Sequence, residues 1–241
     1  MTRKQYFLSG LKDGMPICFG YFAVSFAFGI QAAGIGLSVF EASVLSALNV
    51  TSAGQFAALA IIASGTSLIE LAFTQLIINL RYFLMSCALS PSLPLGHRLG
   101  IAYGMTDEIF AVSVSQREPL SPFYSYGLIA VAIPGWVLGT ALGAAAGNIL
   151  PAVLTNALGI AIYGMFIAII LPPAKENRVV AGVVVLSMVL SALFTYLPVL
   201  CNISSGFRII VITLITAGGA ALLFPIPDEP AEPEKEMPHE S

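Results

Sequence analysis

Long apolar runs without any charged residue organise the chain. No Asp, Glu, Lys or Arg occurs from Gly14 to Phe40, from Ala42 to Ile69, or from Pro119 to Ala174. A membrane-spanning helix needs about 20 mostly apolar residues, so each run can hold one or two helices. The pattern predicts an all-α, polytopic integral membrane protein with about 7–8 transmembrane helices, some of which could be broken.

Turn and breaker residues divide these runs into single helices. The predicted spans cover residues 16–33, 42–63, 67–88, 99–116, 124–147, 152–171, 179–200 and 207–224. Pro16 suits the first turn of a helix, so the first span is predicted to start there. An amphipathic, cytoplasmic lead-in at residues 1–13 precedes it, and a single transmembrane domain extends over residues 14–225.

Polar residues interrupt the second predicted span near mid-membrane depth. The sequence NVTSAGQ supplies Asn49, Thr51, Ser52, Gly54 and Gln55. Irregular backbone inside a membrane is tolerated only where protein buries it or where it lines a cavity. The pattern fits a broken helix or re-entrant turn that forms a binding site. It fits equally well a regular helix whose small residues pack and whose Gln55 bonds a neighbouring helix.

The third predicted span carries Arg81 near its middle, with Asn79 just before it. An arginine inside a membrane costs from about 3 to more than 10 kcal/mol, so it faces protein or a water-filled cavity, usually with a partner. Glu70 and the pair Asp107–Glu108 are the nearest acids in sequence. Arg81 is predicted either to serve a polar functional centre or to form a permanent ion pair between helices. Asn79 either joins that centre or bonds a neighbouring helix.

The fourth predicted span, residues 99–116, is apolar but carries Thr106, Asp107 and Glu108 at its centre. It either lies on the membrane surface or enters the membrane with buried acids. If it spans and the N-terminus is cytoplasmic, most basic residues lie inside, as the positive-inside rule requires. If it does not span, that bias disappears, so spanning or deep insertion is favoured.

Composition supports the membrane assignment and excludes several functions. The chain is 57% hydrophobic and 10% charged, whereas soluble domains carry about 25% charged residues. The last sixteen residues, 226–241, hold six acids and one Lys and are rich in Pro, so they are predicted to form a disordered acidic tail. The sequence has no basic patch of the kind that binds nucleic acid. The three cysteines, Cys18, Cys87 and Cys201, are widely spaced and predict neither metal site nor disulfide.

Small residues and weak repeats indicate how helices pack. Gly139, Gly143 and Gly147 form a doubled GxxxG pattern, which lets two helices approach closely. Pro16 to Gly29 and Pro134 to Gly147 have the same spacing. An inverted or parallel internal repeat of the kind found in transporters could underlie this match.

Four segments together resemble one family. SAGQFAAL (residues 52–59), NLRY (79–82), TDE (106–108) and GMPICFGYFAVSFAFG (14–29) are similar, in order and spacing, to the AzlC family. The resemblance extends over about residues 10–224 and leaves the acidic tail outside. It implies an inner-membrane permease, in bacteria, that exports the branched-chain amino acids Val, Leu and Ile, with Met as a further substrate. It also implies a small hydrophobic AzlD-like membrane protein as partner.

Such substrates suggest roles for the polar residues. An amino acid is a zwitterion, so its carboxylate needs a helix start near Thr51 to Gly54, or Arg81, and its ammonium needs Asp107 or Glu108. Phe56, Phe73, Phe110 and Met105 are expected to contact the apolar side chain. Either acid could also carry a coupling proton.

A non-transporting structural or regulatory subunit of a two-component complex fits the same composition. An enzyme is not expected, because the chain has no HExxH or GxSxG motif, and no cofactor is predicted.

Overall fold

The prediction of an all-α polytopic membrane protein is confirmed. A computed structural model describes residues 2–116, 120–147, 149–150, 153, 164, 167, 170–197, 200 and 203–225. Its α-helices are α1 (Arg3–Gly34), α2 (Val39–Leu48), α3 (Ser52–Ser64), α4 (Leu68–Leu89), α5 (Leu95–Tyr103), α6 (Asp107–Val114), α7 (Pro122–Gly147), α8 (Arg178–Tyr196), α9 (Ser205–Thr213) and α10 (Gly219–Leu223). No strand occurs among these residues. Five helical segments are long and apolar enough to cross a membrane: α1, α4 with its 3₁₀ extension to Ser92, α7, α8, and Ser205–Leu223.

Helix α1 begins earlier than the sequence indicated. Thr2 caps it in a capping box with Gln5, and the helix then continues without a break for 32 residues, about 48 Å. The predicted start at Pro16 is therefore wrong, because Pro16 lies inside the helix. Residues 3–13 form the first turns of α1 and are not a separate lead-in helix.

Helices α1 and α7 run parallel and in close contact. A Cβ added to Gly10 would meet the Tyr124 carbonyl, and one added to Gly143 would meet the Phe26 carbonyl. Gly135 lies against Cys18 between these two points. The residue numbers rise together along both helices, so both start at the same end of the bundle. The predicted glycine contact surface thus packs α7 on α1. Because the two helices are parallel, residue positions along them mark the depth of other residues in the bundle.

We call the two ends of the bundle the Arg3 end and the Gly34 end, after the bounds of α1. Helices α2 and α3 form a hairpin that enters from the Gly34 end. Ala42 on α2 and Leu59 on α3 belong to one buried cluster with Ala32 near the end of α1. Deeper down, Ser46 hydrogen-bonds Gln55 across the hairpin. The chain goes in along α2 and comes back along α3, so it does not cross.

Ser38 fixes the outer start of this hairpin. Its side chain accepts from the Glu41 backbone N–H, while its own hydroxyl and backbone N–H donate to the Glu41 carboxylate. These two donated hydrogen bonds lower the pKa of the exposed Glu41 carboxyl. The resulting capping box starts α2.

Helices α5 and α6 form a second hairpin, which enters from the Arg3 end. His97 on α5 contacts Phe123 at the start of α7, Gly104 lies against Ile129, and Thr106 reaches Tyr21 near the middle of α1. After α6 the chain has returned to the Arg3 end. The contacts that show this are Gln116 with Tyr124, and Tyr124 with Asp13.

Both interrupted segments are therefore re-entrant. The hairpin interpretation of residues 42–63 is confirmed and the regular helix is wrong. Residues 99–116 insert deeply, as expected, but do not span. The two tips meet at mid-depth, where the Tyr103 hydroxyl donates to the Ala47 carbonyl. Hydrophobicity could not reveal this, because a hairpin and a span contain similar numbers of apolar residues.

A long helix followed by a re-entrant hairpin occurs twice, in opposite directions. Helix α1 leads to α2–α3 at the Gly34 end. Helix α4 runs back and leads to α5–α6 at the Arg3 end, where Leu89 shares a buried cluster with Ile101. This arrangement is the kind of inverted duplication found in transporters. It relates α1–α3 to α4–α6, whereas Pro16 and Pro134 lie on the parallel helices α1 and α7.

The remaining described helices form one side of the bundle. The start of Ser205–Leu223 is held against α4, because Glu70 accepts hydrogen bonds from the backbone N–H groups of Gly206 and Phe207. Helix α8 runs antiparallel beside it, with Arg208 donating to Thr195. The predicted span at residues 152–171 and the predicted tail at 226–241 lie almost wholly outside the described residues.

Candidate functional site

A cavity of about 530 Å³ lies where the two hairpin tips meet. This volume lies within the range of about 300–1,000 Å³ that is usual for small-molecule sites. Its lining combines polar and apolar residues from both tips and from α1, α4, α7 and the helix Ser205–Leu223. The polar residues in contact with it are Tyr21, Thr51, Ser52, Arg81, Tyr82, Thr106, Asp107, Glu108 and Thr213.

Two helices begin at this cavity. Thr51 caps α3 by accepting from the Gly54 N–H, and Thr106 caps α6 by accepting from the Ile109 N–H. The start of a helix carries unpaired N–H groups and a partial positive charge. Helix α6 places Asp107 and Glu108 in its first turn, which offsets that charge. Helix α3 has no acid in its first turn, so its start remains able to attract an anion.

The charged side chains of the cavity form one ion pair. Arg81 on α4 lies 3.0 Å from the Asp107 carboxylate. The Arg81 guanidinium also stacks on the Tyr82 ring at 4.6 Å and donates to the Tyr82 hydroxyl at 2.7 Å. Both members of the pair keep about 40% of their side-chain surface accessible. The predicted alternative in which Arg81 pairs with Glu70 is wrong, because Glu70 caps the helix that starts at Ser205.

Glu108 has a different set of partners. The Tyr21 hydroxyl lies 2.6 Å from the Glu108 carboxylate and 2.6 Å from the Thr106 hydroxyl. One phenol has one proton, so Tyr21 donates to Glu108 and accepts from Thr106. The Tyr21 ring packs edge-to-face against Trp136 at 5.3 Å. This network ties the tip of α5–α6 to α1 and α7.

A second polar network supports the α2–α3 tip from behind the cavity. Gln75 on α4 donates to the Gly54 carbonyl and accepts from both Asn49 and Asn79. On the other side of the hairpin, Gln55 is fully buried and donates to Ser46, which in turn bonds Thr140 on α7 at 2.6 Å. Only the bond to the Gly54 carbonyl reaches the backbone, and the bonds of Asn49, Ser46 and Gln55 join side chains of the hairpin to each other and to α4 and α7.

The predicted site residues thus fall into two groups. Thr51, Ser52, Arg81, Thr106, Asp107 and Glu108 line the cavity. Asn49, Gly54, Gln55 and Asn79 do not line it, and they lie in the supporting networks and at the cap of α3. For Gln55 the structure shows the simpler expectation, a hydrogen bond to a neighbouring helix, here to Ser46 on α2. Asn79 does not, because it bonds Gln75 on its own helix α4.

Sequence reasoning missed several residues and misplaced others. Tyr21, Tyr82 and Trp136 line the cavity, and Gln75 supports it, but single aromatic or amide residues in apolar helices gave no signal. The apolar wall consists of Val50, Ala53, Ile77, Ile78, Leu80, Leu84, Trp136, Ile170 and Ala217. The expected Phe56, Phe73, Phe110 and Met105 are absent from it: Phe56 packs on Phe28, Phe73 is exposed and Met105 is buried in the core.

Within the described part of the chain, no group of three or more His, Cys, Asp or Glu side chains could hold a metal ion.

The fold and the cavity define a polytopic membrane protein with a polar site at mid-depth, where two opposed re-entrant hairpins meet. Its sequence places it more narrowly. Residues 16–150 match the model of the family described as AzlC protein, so the chain belongs to the AzlC family.

The alignments with two relatives are longer than the region that the family model matches. An uncharacterized membrane protein of Archaeoglobus fulgidus is 35% identical over 185 residues, which cover 76% of this chain and 83% of the relative. The inner membrane protein YgaZ of Escherichia coli strain K12 is 31% identical over 184 residues, covering 71% of this chain and 75% of the relative. No solved structure matches.

Proposed function

We propose that the protein exports the branched-chain amino acids Val, Leu and Ile, and also Met, across the cell membrane as a proton-coupled secondary transporter. The observation that carries this proposal is the mid-depth cavity, which presents a helix start without an acid in its first turn, acidic groups and an aliphatic wall to one small ligand. Membership of the AzlC family supports the same class of function. The family resemblance further suggests a small AzlD-like membrane protein as partner.

The cavity fits the three parts of such a substrate. The free N–H groups of Ser52 and Ala53 at the start of α3 suit the carboxylate. Glu108 or Asp107 suits the ammonium. The aliphatic wall contributed by Ile77 and Leu84 suits a branched side chain, because it offers no polar group that a hydroxyl or amide would need. Arg81 is already paired with Asp107, so it contributes to the field around the carboxylate without being free to bind it alone.

The two hairpins also suggest how access alternates. One hairpin closes the cavity towards the Gly34 end and the other towards the Arg3 end. A small rocking of either tip would open the cavity to one side only, since the tips touch through Tyr103 and Ala47. Transport by rocking of one repeat against the other needs such an arrangement.

The direct test is efflux of preloaded, labelled valine or leucine from cells that contain the protein, with and without an AzlD-like partner. We expect efflux above that of empty cells, and its loss on adding a protonophore. Faster efflux that ignores the protonophore would reject proton coupling. Absence of efflux in every condition, with the protein shown to be in the membrane, would favour the non-transporting subunit.

Variants at the ion pair make the test specific to the cavity. Arg81→Gln and Asp107→Asn should each abolish efflux while the protein still inserts. Glu176→Gln is the matched control, because Glu176 is exposed and is not one of the residues that line the cavity. Normal efflux in both cavity variants would reject the assignment of the site.

A further inference from the structure

The two neighbouring acids of the cavity have unlike partners. Asp107 lies 3.0 Å from Arg81, a permanent cation. Glu108 receives a hydrogen bond from Tyr21, which is neutral. An adjacent cation stabilises the charged form of a carboxylate far more than a neutral donor does. When two carboxylates share one site, such a difference in surroundings separates their roles.

We propose that Glu108 is the carboxylate that carries the coupled proton, that the substrate ammonium competes with this proton for it, and that Tyr21 positions it. Asp107 stays charged as the partner of Arg81. This inference rests on the proposed export function and assigns its coupling step to one residue.

The competition produces exchange of one substrate for one proton. A proton from the outer side binds the Glu108 carboxylate, gives a neutral carboxylic acid and releases the substrate ammonium outward. When the next ammonium binds from the cytoplasmic side, Glu108 loses that proton to the cytoplasm. No electron transfer or co-reactant is needed, and each cycle moves one amino acid out and one proton in.

The groups around Glu108 agree with this division. The titratable or charged side chains that share its cavity are Tyr21 on α1, Arg81 and Tyr82 on α4, and Asp107 on its own helix. Trp136 on α7 and Thr213 on the helix Ser205–Leu223 do not titrate in the pH range in which carboxylates do. In the described part of the cavity, Arg81 is the one cation, and Asp107 already compensates it. Glu108 can therefore change its charge without breaking an ion pair.

Because Tyr21 bonds both Glu108 and Thr106, protonation of Glu108 changes the hydrogen bonds between α1 and the hairpin tip. While Glu108 is charged, Tyr21 donates to it and accepts from Thr106. When Glu108 is protonated, it no longer needs that donor, and Tyr21 can donate to Thr106 instead. Because Thr106 caps α6 at the hairpin tip, the contact between α1 and the tip depends on the proton.

The chain contains its own reporter for this step. Trp136 is its one tryptophan, lines the cavity and contacts the Tyr21 ring. Fluorescence of the purified full-length protein, titrated with pH in the absence of any ligand, should therefore show one transition. The transition should disappear in Glu108→Gln and persist in Asp107→Asn. In Tyr21→Phe its midpoint should move to higher pH by about one unit, because a hydrogen bond to the charged form is lost.

A second measurement adds substrate. At a pH below the midpoint of the ligand-free transition, valine added to the weakly buffered protein should release about one proton per valine bound, as competition for a single carboxylate requires. Glu108→Gln should release none, and Glu176→Gln should behave as the unchanged protein.

The outcomes separate the two proposals. If the fluorescence transition survives in Glu108→Gln and is lost in Asp107→Asn, Asp107 carries the proton and this inference is overturned. Valine binding without proton release would likewise overturn it while leaving the export of valine intact. If valine does not bind, the proposed substrate fails, and the ligand-free titration still decides whether Glu108 is the proton site.

Discussion

At the scale of single residues, three acids of the helical bundle have separate roles. Glu70 is 5% exposed and accepts from two backbone N–H groups at the start of Ser205–Leu223. It therefore fixes a helix whose Thr213 and Ala217 form part of the cavity wall. Asp107 neutralises Arg81, and Glu108 is left to respond to protons.

Replacing Glu70 should loosen the cavity wall. Glu70→Ala leaves two backbone donors without their acceptor, which costs about 1–3 kcal/mol for a buried group. Glu70→Gln keeps an acceptor but loses the charge beside a helix start, so a smaller loss is expected. Thermal unfolding of the purified protein in detergent measures both changes. Glu176→Ala is the control, and equal melting temperatures in all three variants would contradict the capping role.

The sequence anticipated the charged residues of the site and the polar residues of the hairpin tips, but not its aromatic residues or Gln75. An arginine and two acids in apolar spans have a cost that demands partners, so Arg81, Asp107 and Glu108 could be expected to meet. Tyr21, Gln75 and Trp136 carry no such cost. Aromatic and amide side chains are common inside membrane proteins, so only the three-dimensional structure shows which of them reach the cavity.

At the scale of helices, α1 and α7 form the frame against which both hairpins pack. Their contact depends on glycines that face backbone. A Cβ on Gly29 would overlap the Thr140 carbonyl and approach the Ala144 amide at 2.6 Å. Neither atom can move without shifting a helix.

Gly29→Ala should therefore destabilise the protein by about 1–3 kcal/mol, as overpacking usually does. Gly20→Ala is the matched control, because it lies on the same helix and its added Cβ would meet nothing within 4 Å. Unfolding of both variants in detergent gives the comparison. Equal stability would show that α1 and α7 are not held as closely as the structure indicates.

The two hairpins can be tested by labelling. In a variant whose cysteines are replaced, new cysteines at Gly34 and Ser64 flank α2–α3, and those at Leu95 and Ser115 flank α5–α6. A membrane-impermeant maleimide should reach both members of a pair from the same side, and the two pairs from opposite sides. If Gly34 and Ser64 were labelled from opposite sides, α2–α3 would be a true crossing.

At the scale of the whole molecule, the re-entrant hairpins resolve the placement of charge. The positive-inside rule favoured spanning or deep insertion of residues 99–116 on a count of crossings in which residues 42–63 also crossed. Neither segment crosses, so α4 is the crossing that lies between α1 and α7. The two helices therefore run in the same direction. Among the described residues, the basic side chains at the Arg3 end include Arg3, Lys4, Lys12, Arg98 and Arg178, whereas Arg208 lies towards the Gly34 end.

This distribution predicts the orientation of the protein in the cell. Positively charged residues favour the cytoplasmic side, so the Arg3 end should be cytoplasmic and the Gly34 end should face outward. Cysteines at Gly34 and Ser64 should then react with the impermeant maleimide in intact cells, and those at Leu95 and Ser115 only after the membrane is permeabilised. The reverse pattern would invert the protein and turn the proposed export into uptake, since the same cavity would receive its proton from the other end.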